Sequence, residues 1–365
     1  MNAKVATSTC KLPVVQRNGV RVGTQAGKRV TAADVARSLG LSRATVGFVL
    51  NGTSEQRISE ATKERVLAEA ARLGYRPHTA AQALRRGSSK LVLLVVPDWP
   101  VEFSISKCVE EASHALEEAG YSLVTQTRHP AGTARPLWEL LDPEVVVGFT
   151  PFTPDELAAM RGCGITRIIP GSSLIPQQPD PLGLQDGPRL QVEHLHGRGH
   201  RQLGFAATAD PRLAGLVESR LRTAQEAAAA ADLPPLVVRH VDAHADAAGQ
   251  AVHDWLDAGV TGVVAYNDES AARVIRAAVR TGHRVPADLA VIGHDDNPYT
   301  ELFVPSISSI RIDYAGLGRH LAALALHEAA GQPLPAGDVD AAATVVARES
   351  TELGHVGQER DQDAR

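Results

Sequence analysis

The sequence is poor in aromatic residues and in cysteine. It has 3 cysteines, and no two of them form a Cys-x-x-Cys pair. An odd number of dispersed cysteines excludes a disulfide framework and a zinc knuckle as the basis of the fold. Aromatic residues make up only 4% of the chain, so few side chains can stack on a ligand ring: Trp99, Phe103, Phe149, Phe152, Tyr266 and Tyr299.

Long apolar runs and familiar catalytic motifs are missing as well. No stretch of about 18 apolar residues is present, so the sequence predicts no membrane span. Lys4 and Lys11 are followed by no apolar segment of the kind that forms a secretory signal, so we expect a cytoplasmic protein. The sequence also has no Gly-x-Ser-x-Gly, Walker loop or His-Glu-x-x-His motif. We therefore predict neither an enzyme nor a bound cofactor.

Acidic residues are scarce at the N-terminal end. Residues 1–90 contain 16 Lys and Arg but only 5 Asp and Glu, a net charge of +11, and residues 1–29 contain no acidic residue. The rest of the chain has 21 basic and 37 acidic residues, a net charge of −16 that brings the total to −5. A basic first quarter on an acidic body predicts a nucleic-acid-binding head on a larger domain.

Residues 30–75 predict three short helices. A Thr-x-x-Asp capping box over 31–34 begins the first helix, and Gly40 ends it. Ser42 caps a second helix that ends near an Asn-Gly pair, and Ser59 begins the third. Two short helices joined by a glycine turn are typical of a helix-turn-helix.

The N-terminal end of the second helix is polar, which suits a DNA-reading helix. In a helix-turn-helix these residues enter the major groove. Ser42 and Thr45 carry short hydroxyls that suit phosphate oxygens, and Arg43 can reach a guanine edge. A small bundle that only packs together is the alternative, but the basic charge of the segment favours DNA.

From Lys90 onward, apolar strand candidates alternate with helical stretches. Runs that are apolar on both faces and joined by helices predict parallel sheets covered by helices. Eight such runs fit two doubly wound lobes better than one. The predicted strands are 91–96, 121–125, 144–148, 166–170, 202–207, 236–241, 262–266 and 289–293.

Seven segments stand out when they are taken in order along the chain: VTAADVARSLGLSRATVGFVLNG, ISEATKERVLAEAARLGYRPHTAAQALRRG, DGPRLQVEHLHGRGHRQLGF, ESRLRTAQEA, VVAYNDE, VPADLAVIGHDD and VPSISSIRID. Together they resemble the lactose-repressor (LacI/GalR) family over about residues 30–350. The resemblance implies a homodimeric repressor that binds a near-palindromic operator in double-stranded DNA. It also implies a periplasmic-binding-protein-like core that holds a small effector between its two lobes.

The resemblance implies which residues of the head contact DNA. Arg43 and Ala44 match the pair that mainly sets sequence choice, and Leu84 matches a leucine that wedges into the minor groove. Phe48 stands where members usually have arginine, so it either touches a thymine methyl or covers the helix. The full predicted set is Thr31, Ser42, Arg43, Ala44, Thr45, Phe48, Asn51, Tyr75, His78, Leu84, Arg85 and Arg86.

Two arguments locate an effector site. Ligands in open α/β sheets bind beyond the carboxyl ends of strands, and the resemblance separately points to Arg222, Asn267 and Asp295. We expect these three to converge on one cleft and to suit a neutral polyol, such as a sugar or nucleoside. The full predicted set is Asp98, Trp99, Phe103, Arg222, Asn267 and Asp295.

Other interpretations of the core stay open. Departures from the family pattern near Trp99, Pro170 and Gln225 also fit an effector-blind regulator, and the core alone would fit a solute-binding protein. Each candidate polar residue could instead serve as a cap, a turn brace or a surface ion pair. Three histidines, at 194, 196 and 200, do not all share one helix face, so we expect a structural role and no metal.

We expect the following organisation: a disordered basic leader or an overlong start over 1–29, a helix-turn-helix domain over 30–76, a hinge helix and linker over 77–89, a two-lobe effector-binding and dimerisation core over 90–350, and a polar tail over 351–365.

Because the head is strongly basic, we expect DNA affinity to fall steeply with salt. A dimer that makes about 6–10 phosphate contacts should lose about 10³–10⁵-fold in affinity between about 50 and about 200 mM salt. A gel-shift titration at the two concentrations measures the loss. A flat response would contradict DNA binding as the role of the head.

Overall fold

The computed structural model describes residues 30–50, 58–75, 88–129, 132–170, 186–334 and 343–352. The chain forms two compact units, residues 1–86 and 87–365, which we call the head and the core. Several predictions lie outside the described residues: the leader over 1–29, most of the hinge and tail, and the DNA contacts Asn51, His78, Leu84, Arg85 and Arg86.

The head is the predicted helix-turn-helix followed by a third helix. Gly40 ends the first helix in the left-handed conformation, with φ 66°, and so makes the turn between the first two. The helices pack on a small apolar core that includes Val35, Val46 and Val66. Their bounds are α1 Ala32–Leu39, α2 Arg43–Leu50 and α3 Glu60–Arg72.

The first lobe of the core contains a four-stranded parallel sheet in the order β2-β1-β3-β4. Its central strands are apolar on both faces because helices cover both sides of the sheet. The elements are β1 Leu91–Pro97, α4 Phe103–Glu118, β2 Ser122–Arg128, β3 Val145–Gly148, α5 Pro154–Gly162 and β4 Ile168–Ile169.

The second lobe repeats this topology with a parallel sheet in the order β6-β5-β7-β8. The eight predicted strands are thus confirmed, with bounds shifted by a few residues at most. The elements are α6 Gly187–Gly197, β5 Leu203–Ala207, α7 Ala214–Ala230, β6 Val237–His240, α8 Ala247–Asp257, β7 Gly262–Ala265, α9 Asp268–Arg280 and β8 Ala290–Ile292.

The chain then passes between the lobes again. An antiparallel pair, β9 Ser309–Arg311 and β10 Thr344–Val346, lies against α6 of the second lobe. Between its strands, α10 Tyr314–Ala330 packs on α4 of the first lobe. Sequence analysis did not predict β9 and β10, because three-residue strands are too short to show a period. One apolar cluster runs from β1 through α10 to β5 and β7 and joins the lobes.

Short 3₁₀ turns complete the described core, at Leu137–Glu139, Pro211–Leu213 and Pro298–Leu302. Within the described ranges, no helix has the length and apolar character needed to cross a bilayer.

The α4–α10 contact leaves no room for a side chain at Gly318. A Cβ there would lie 2.3 Å from the carbonyl oxygen of Cys108 and 2.9 Å from Cβ of Glu111. We therefore expect Gly318→Ala to lower the free energy of unfolding by about 1–3 kcal/mol. Urea denaturation measures the change.

Gly249 in α8 is the matched control, because a Cβ there meets nothing within 4 Å. We expect Gly249→Ala to leave stability unchanged or to raise it by up to about 1 kcal/mol. Equal losses for the two variants would contradict close packing of α10 on α4.

Candidate functional site

The candidate DNA-reading surface is the N-terminal end of α2. Ser42 caps this helix: its Oγ accepts a hydrogen bond from the Thr45 backbone N–H at 3.0 Å and lies 2.8 Å from Thr45 Oγ1. Arg43 and Ala44 follow the cap on the exposed surface, and the first turn contains no acidic residue. Exposed backbone N–H groups and an arginine make this end attractive to an anion.

Three of the four acidic residues of the described head are paired with nearby basic residues: Asp34, Glu60 and Glu69. A hydrogen bond from the Thr31 side chain lowers the pKa of Asp34 to about 2. The pKa of Glu69 is also lowered to about 2, mainly by Arg72. Within the described head, none of the ion pairs involves Arg43. They are Asp34–Arg37, Glu60–Lys63 and Glu69–Arg72.

Other predicted DNA contacts have structural surroundings. Thr31 is exposed and forms the capping box with Asp34. Tyr75 is half-buried against the apolar core of the head, and Phe48 is half-buried on α2. Their roles in DNA contact stay predictions.

The core contains a cavity of about 400 Å³ between its two lobes. Trp99, Glu102 and Phe149 line it from the first lobe, and Arg220 and Tyr266 line it from the second. A smaller cavity of about 240 Å³ adjoins the first. Glu102, Ser104 and Asp295 line both cavities, whereas Phe103 and Asn267 line only the smaller one.

Asp295, just after β8, is the polar centre of the cavity. Three donors converge on its Oδ1: the Tyr314 hydroxyl at 2.5 Å, His294 Nδ1 at 2.7 Å and Arg220 Nη2 at 3.2 Å. Burial opposes ionisation, but the Arg220 charge and the other two donors outweigh it and hold the pKa of Asp295 well below its usual range. Burial lowers the pKa of His294, so a neutral imidazole donates from Nδ1.

Arg220, which sequence analysis missed, is held on two sides. Its Nη1 donates to the carbonyl oxygen of Tyr266, and its guanidinium lies 4.7 Å from the centroid of the Tyr266 ring. The pairing with Asp295 adds a third contact. Arg220 is thus fixed in the wall of the cavity.

Arg222 lies at the rim instead of beside Asp295. Its side chain is 67% exposed, and its Nε lies 4.0 Å from Glu226 Oε1. The resemblance selected Arg222, but helical spacing could have found its neighbour. The cavity-facing side of α7 includes Leu216, Arg220 and Thr223, at i, i+4 and i+7.

Three of the other four predicted effector residues are divided between the two cavities. Trp99 lines the larger one and packs edge-on against Phe149, with ring centroids 6.0 Å apart. Phe103 and Asn267 line the smaller one, so the three residues expected to converge do not all line the same cavity. Asp98 lines neither, and its Oδ1 lies 3.1 Å from Nδ1 of His129. The effector roles stay predictions.

Asn267 joins the two lobes through Glu102. Its Oδ1 caps α9 by accepting from the Ser270 backbone N–H at 2.8 Å, and its Nδ2 lies 3.3 Å from Glu102 Oε2. Burial, assisted by the Asp295 charge, raises the pKa of Glu102. Sequence analysis did not single out Glu102, although it belongs to the segment DWPVEF that departs from the family pattern.

The histidines at 194 and 200 contact threonines. His194 Nε2 lies 2.8 Å from Thr351 Oγ1, and His200 Nδ1 lies 2.9 Å from Thr261 Oγ1. Among the residues that the structure describes, no group of three or more His, Cys, Asp or Glu could hold a metal ion.

A helix-turn-helix head and a two-lobed α/β core with a cavity between the lobes define a class of DNA-binding regulator. Comparison with known sequences agrees. The profile of the bacterial regulatory proteins of the lacI family matches residues 18–78, and that of the periplasmic binding protein-like domain matches residues 192–351.

Individual relatives match along most of their length. An uncharacterized HTH-type transcriptional regulator in the aml 5' region of Streptomyces limosus is 30% identical over 300 residues, which cover 76% of this chain and 82% of the relative. The lactose operon repressor of Escherichia coli K12 is 28% identical over 311 residues, which cover 80% of this chain and 82% of that repressor. The crystal structure of the lac repressor dimer bound to operator and the anti-inducer ONPF superposes with a TM-score of 0.69 at 25% identity. That match covers 89% of this chain and 100% of the other.

The chain belongs to the lacI family of bacterial regulatory proteins, and it is a DNA-binding transcriptional regulator.

The Tyr314 hydroxyl donates to a buried ion, so its removal should cost more than that of an ordinary hydroxyl. We expect Tyr314→Phe to lower the free energy of unfolding by about 1.5–3 kcal/mol. Tyr121→Phe is the control, because the Tyr121 hydroxyl accepts a hydrogen bond from Nζ of Lys90, whose charge is exposed to solvent. We expect it to cost less than about 1 kcal/mol. Equal effects in urea denaturation would contradict the Asp295 network.

Proposed function

We propose that this protein is a repressor that binds its operator as a homodimer and changes its DNA affinity when a polyhydroxylated small molecule occupies the interlobe cavity. The arrangement of Asp295 supports this most directly. Its three donors all meet Oδ1, and none of the donors within the described residues contacts Oδ2. An ionised carboxylate oxygen facing a cavity is a strong acceptor for a ligand hydroxyl.

The rest of the lining suits such a ligand. Ser104 and Thr223 add hydroxyls, while Trp99, Phe149 and Tyr266 add apolar surface. Ligand pockets combine mostly apolar walls with a few fixed polar groups in this way. The lac repressor dimer, whose fold the chain shares, was crystallised with operator and the anti-inducer ONPF.

Effector control requires a ligand that distinguishes two arrangements of the lobes. Two polar contacts join elements of the two lobes: Tyr314, at the start of α10, to Asp295, and Asn267 to Glu102. A ligand that replaces or reinforces these contacts binds one arrangement better than the other, and only this difference shifts the equilibrium.

We further propose that the protein acts in the cytoplasm and catalyses no reaction. The carboxylate of Asp295 lines the cavity, and its lowered pKa suits a permanent acceptor rather than a base.

Cavity blocking tests the proposal. We expect Ser104→Phe, which fills the cavity, to keep operator binding but to lose the response to the effector. Ser106→Phe is the matched control on the same helix, because Ser106 is exposed and lines neither cavity. Anisotropy of a labelled operator, with a panel of sugars and nucleosides, measures both. A ligand response that survives in Ser104→Phe would contradict this site.

The head gives a second prediction. We expect Arg43→Ala to change which bases are preferred, because the Arg43 side chain reads base edges. We expect Thr45→Ala to weaken binding to all sequences alike, because the Thr45 hydroxyl contacts the phosphate backbone of the DNA. Binding-site selection with both variants measures this. An unchanged base preference in Arg43→Ala would show that another residue reads the sequence.

A further inference from the structure

Glu102 occupies the N-cap position of α4, but its side chain makes no capping hydrogen bond. It faces the space between the lobes and lines both cavities. Its carboxylate is therefore available to the interlobe site rather than used by its own helix.

The carboxylate of Glu102 has no cationic partner among the described residues. Its hydrogen-bond donor is the neutral amide of Asn267, at 3.3 and 3.4 Å from its two oxygens. The charges of Asp295, Arg220 and Glu269 act on it, and Asp268 lines the smaller cavity beside it. Arg220 is already paired with Asp295. Glu269 is paired with Arg273.

The interlobe site thus has an excess of negative charge. The carboxyl groups of Glu102, Asp268 and Asp295 line its two cavities, and the guanidinium of Arg220 is the buried cation among the described lining residues. A buried charge without a counter-charge is costly, so a ligand that supplies a positive charge gains more than a neutral one. The raised pKa of Glu102 agrees with an uncompensated carboxylate.

We infer that the effector is a cationic polyol, with an amino group that pairs with Glu102 and hydroxyls that bond to Asp295. This inference rests on the proposed function, since it assigns the ligand class of the same cavity. It replaces the neutral polyol expected from the sequence, because that expectation did not include Glu102. Aromatic rings at Trp99 and Phe149 offer further favourable surface to a cation.

An anionic effector is disfavoured by the same residues. Arg220 is fixed between Asp295 and Tyr266, and Arg222 stands exposed at the rim. A carboxylate or phosphate placed beside Glu102 would meet like charge.

Matched pairs of probes test the inference by calorimetry on the full chain. The pairs are glucosamine with glucose, galactosamine with galactose, and 1-amino-1-deoxysorbitol with sorbitol. At about pH 6.5 these amines are protonated, because any amine with a pKa of about 8 or above keeps its proton there. We expect at least one amine to bind about 10- to 100-fold more tightly than its partner, as for a hydrogen bond to a charged group.

Glu102→Gln keeps the size and hydrogen-bonding capacity of the side chain but removes its charge. We expect it to abolish the preference for the amine, whereas Glu110→Gln, on the exposed face of the same helix, keeps it. Lowering the pH through the raised pKa of Glu102 should likewise weaken amine binding, with a smaller effect on the hydroxyl partner.

A ligand-free measurement tests the uncompensated charge itself. A carboxyl group whose pKa is raised by folding destabilises the folded state at every pH above its raised pKa. This destabilisation disappears as the pH falls to the ordinary pKa of a glutamate, 4.5. We expect Glu102→Gln to raise the melting temperature by about 2 °C or more at neutral pH and to lose this gain in acid.

The outcomes are distinguishable. If a hydroxyl probe binds as tightly as its amine partner in the unmodified protein, the cationic effector is wrong and the polyhydroxylated effector stands. If Glu102→Gln gives no stabilisation at neutral pH, the uncompensated charge is wrong, and the inference falls with it. If no probe binds, both the inference and the effector response are contradicted.

Discussion

The buried charge of Asp295 is the constraint on which the architecture of the core cavity depends. A buried carboxylate needs compensation, and here it comes from three parts of the core: Arg220 on α7, His294 beside β8 and Tyr314 at the start of α10. The backbone of Asp295 also adopts a left-handed conformation, with φ 98°, which is strained for a residue with a side chain. The three hydrogen bonds hold the carboxylate in place despite that strain.

The backbone at Gly293, two residues before Asp295, is packed closely against the start of α9. A Cβ on Gly293 would lie 2.2 Å from Oδ1 of Asp268. The same Oδ1 accepts a hydrogen bond from Ser309 Oγ at 2.5 Å, and Oδ2 of Asp268 accepts one from the Asn297 backbone N–H at 2.7 Å. The end of β8, the start of α9 and β9 are thus tied together. Because α10 begins at Tyr314 and packs on α4, the network of the second lobe extends to the first.

Local features were predictable from the sequence. The capping box over 31–34, the glycine turn at Gly40 and the Ser42 cap depend on residues a few positions apart, so the helix-turn-helix follows from short-range chemistry. The eight parallel strands were predictable because each is apolar on both faces and bounded by helix signals. The family resemblance then placed Asp295 in the cavity, where the structure finds it.

Contacts between distant segments were not predictable. Helical spacing puts Arg220 on the face of α7 that carries Leu216 and Thr223, but the sequence does not show that this face meets Asp295. Glu102 and Asn267 are 165 positions apart, so nothing in the sequence shows that their side chains meet. The strands β9 and β10 are 3 residues each and are stabilised by pairing with one another, which leaves no local pattern.

A double-mutant cycle on Arg220 and Asp295 tests this account of the core most directly. Urea denaturation would compare Arg220→Met, Asp295→Asn and the double variant with the unmodified chain. We expect each single variant to lose about 3–5 kcal/mol, because it leaves one buried charge unpaired. The double variant should lose less than the two losses combined, by about 1–3 kcal/mol. Strictly additive losses would contradict the claim that this ion pair holds the cavity together.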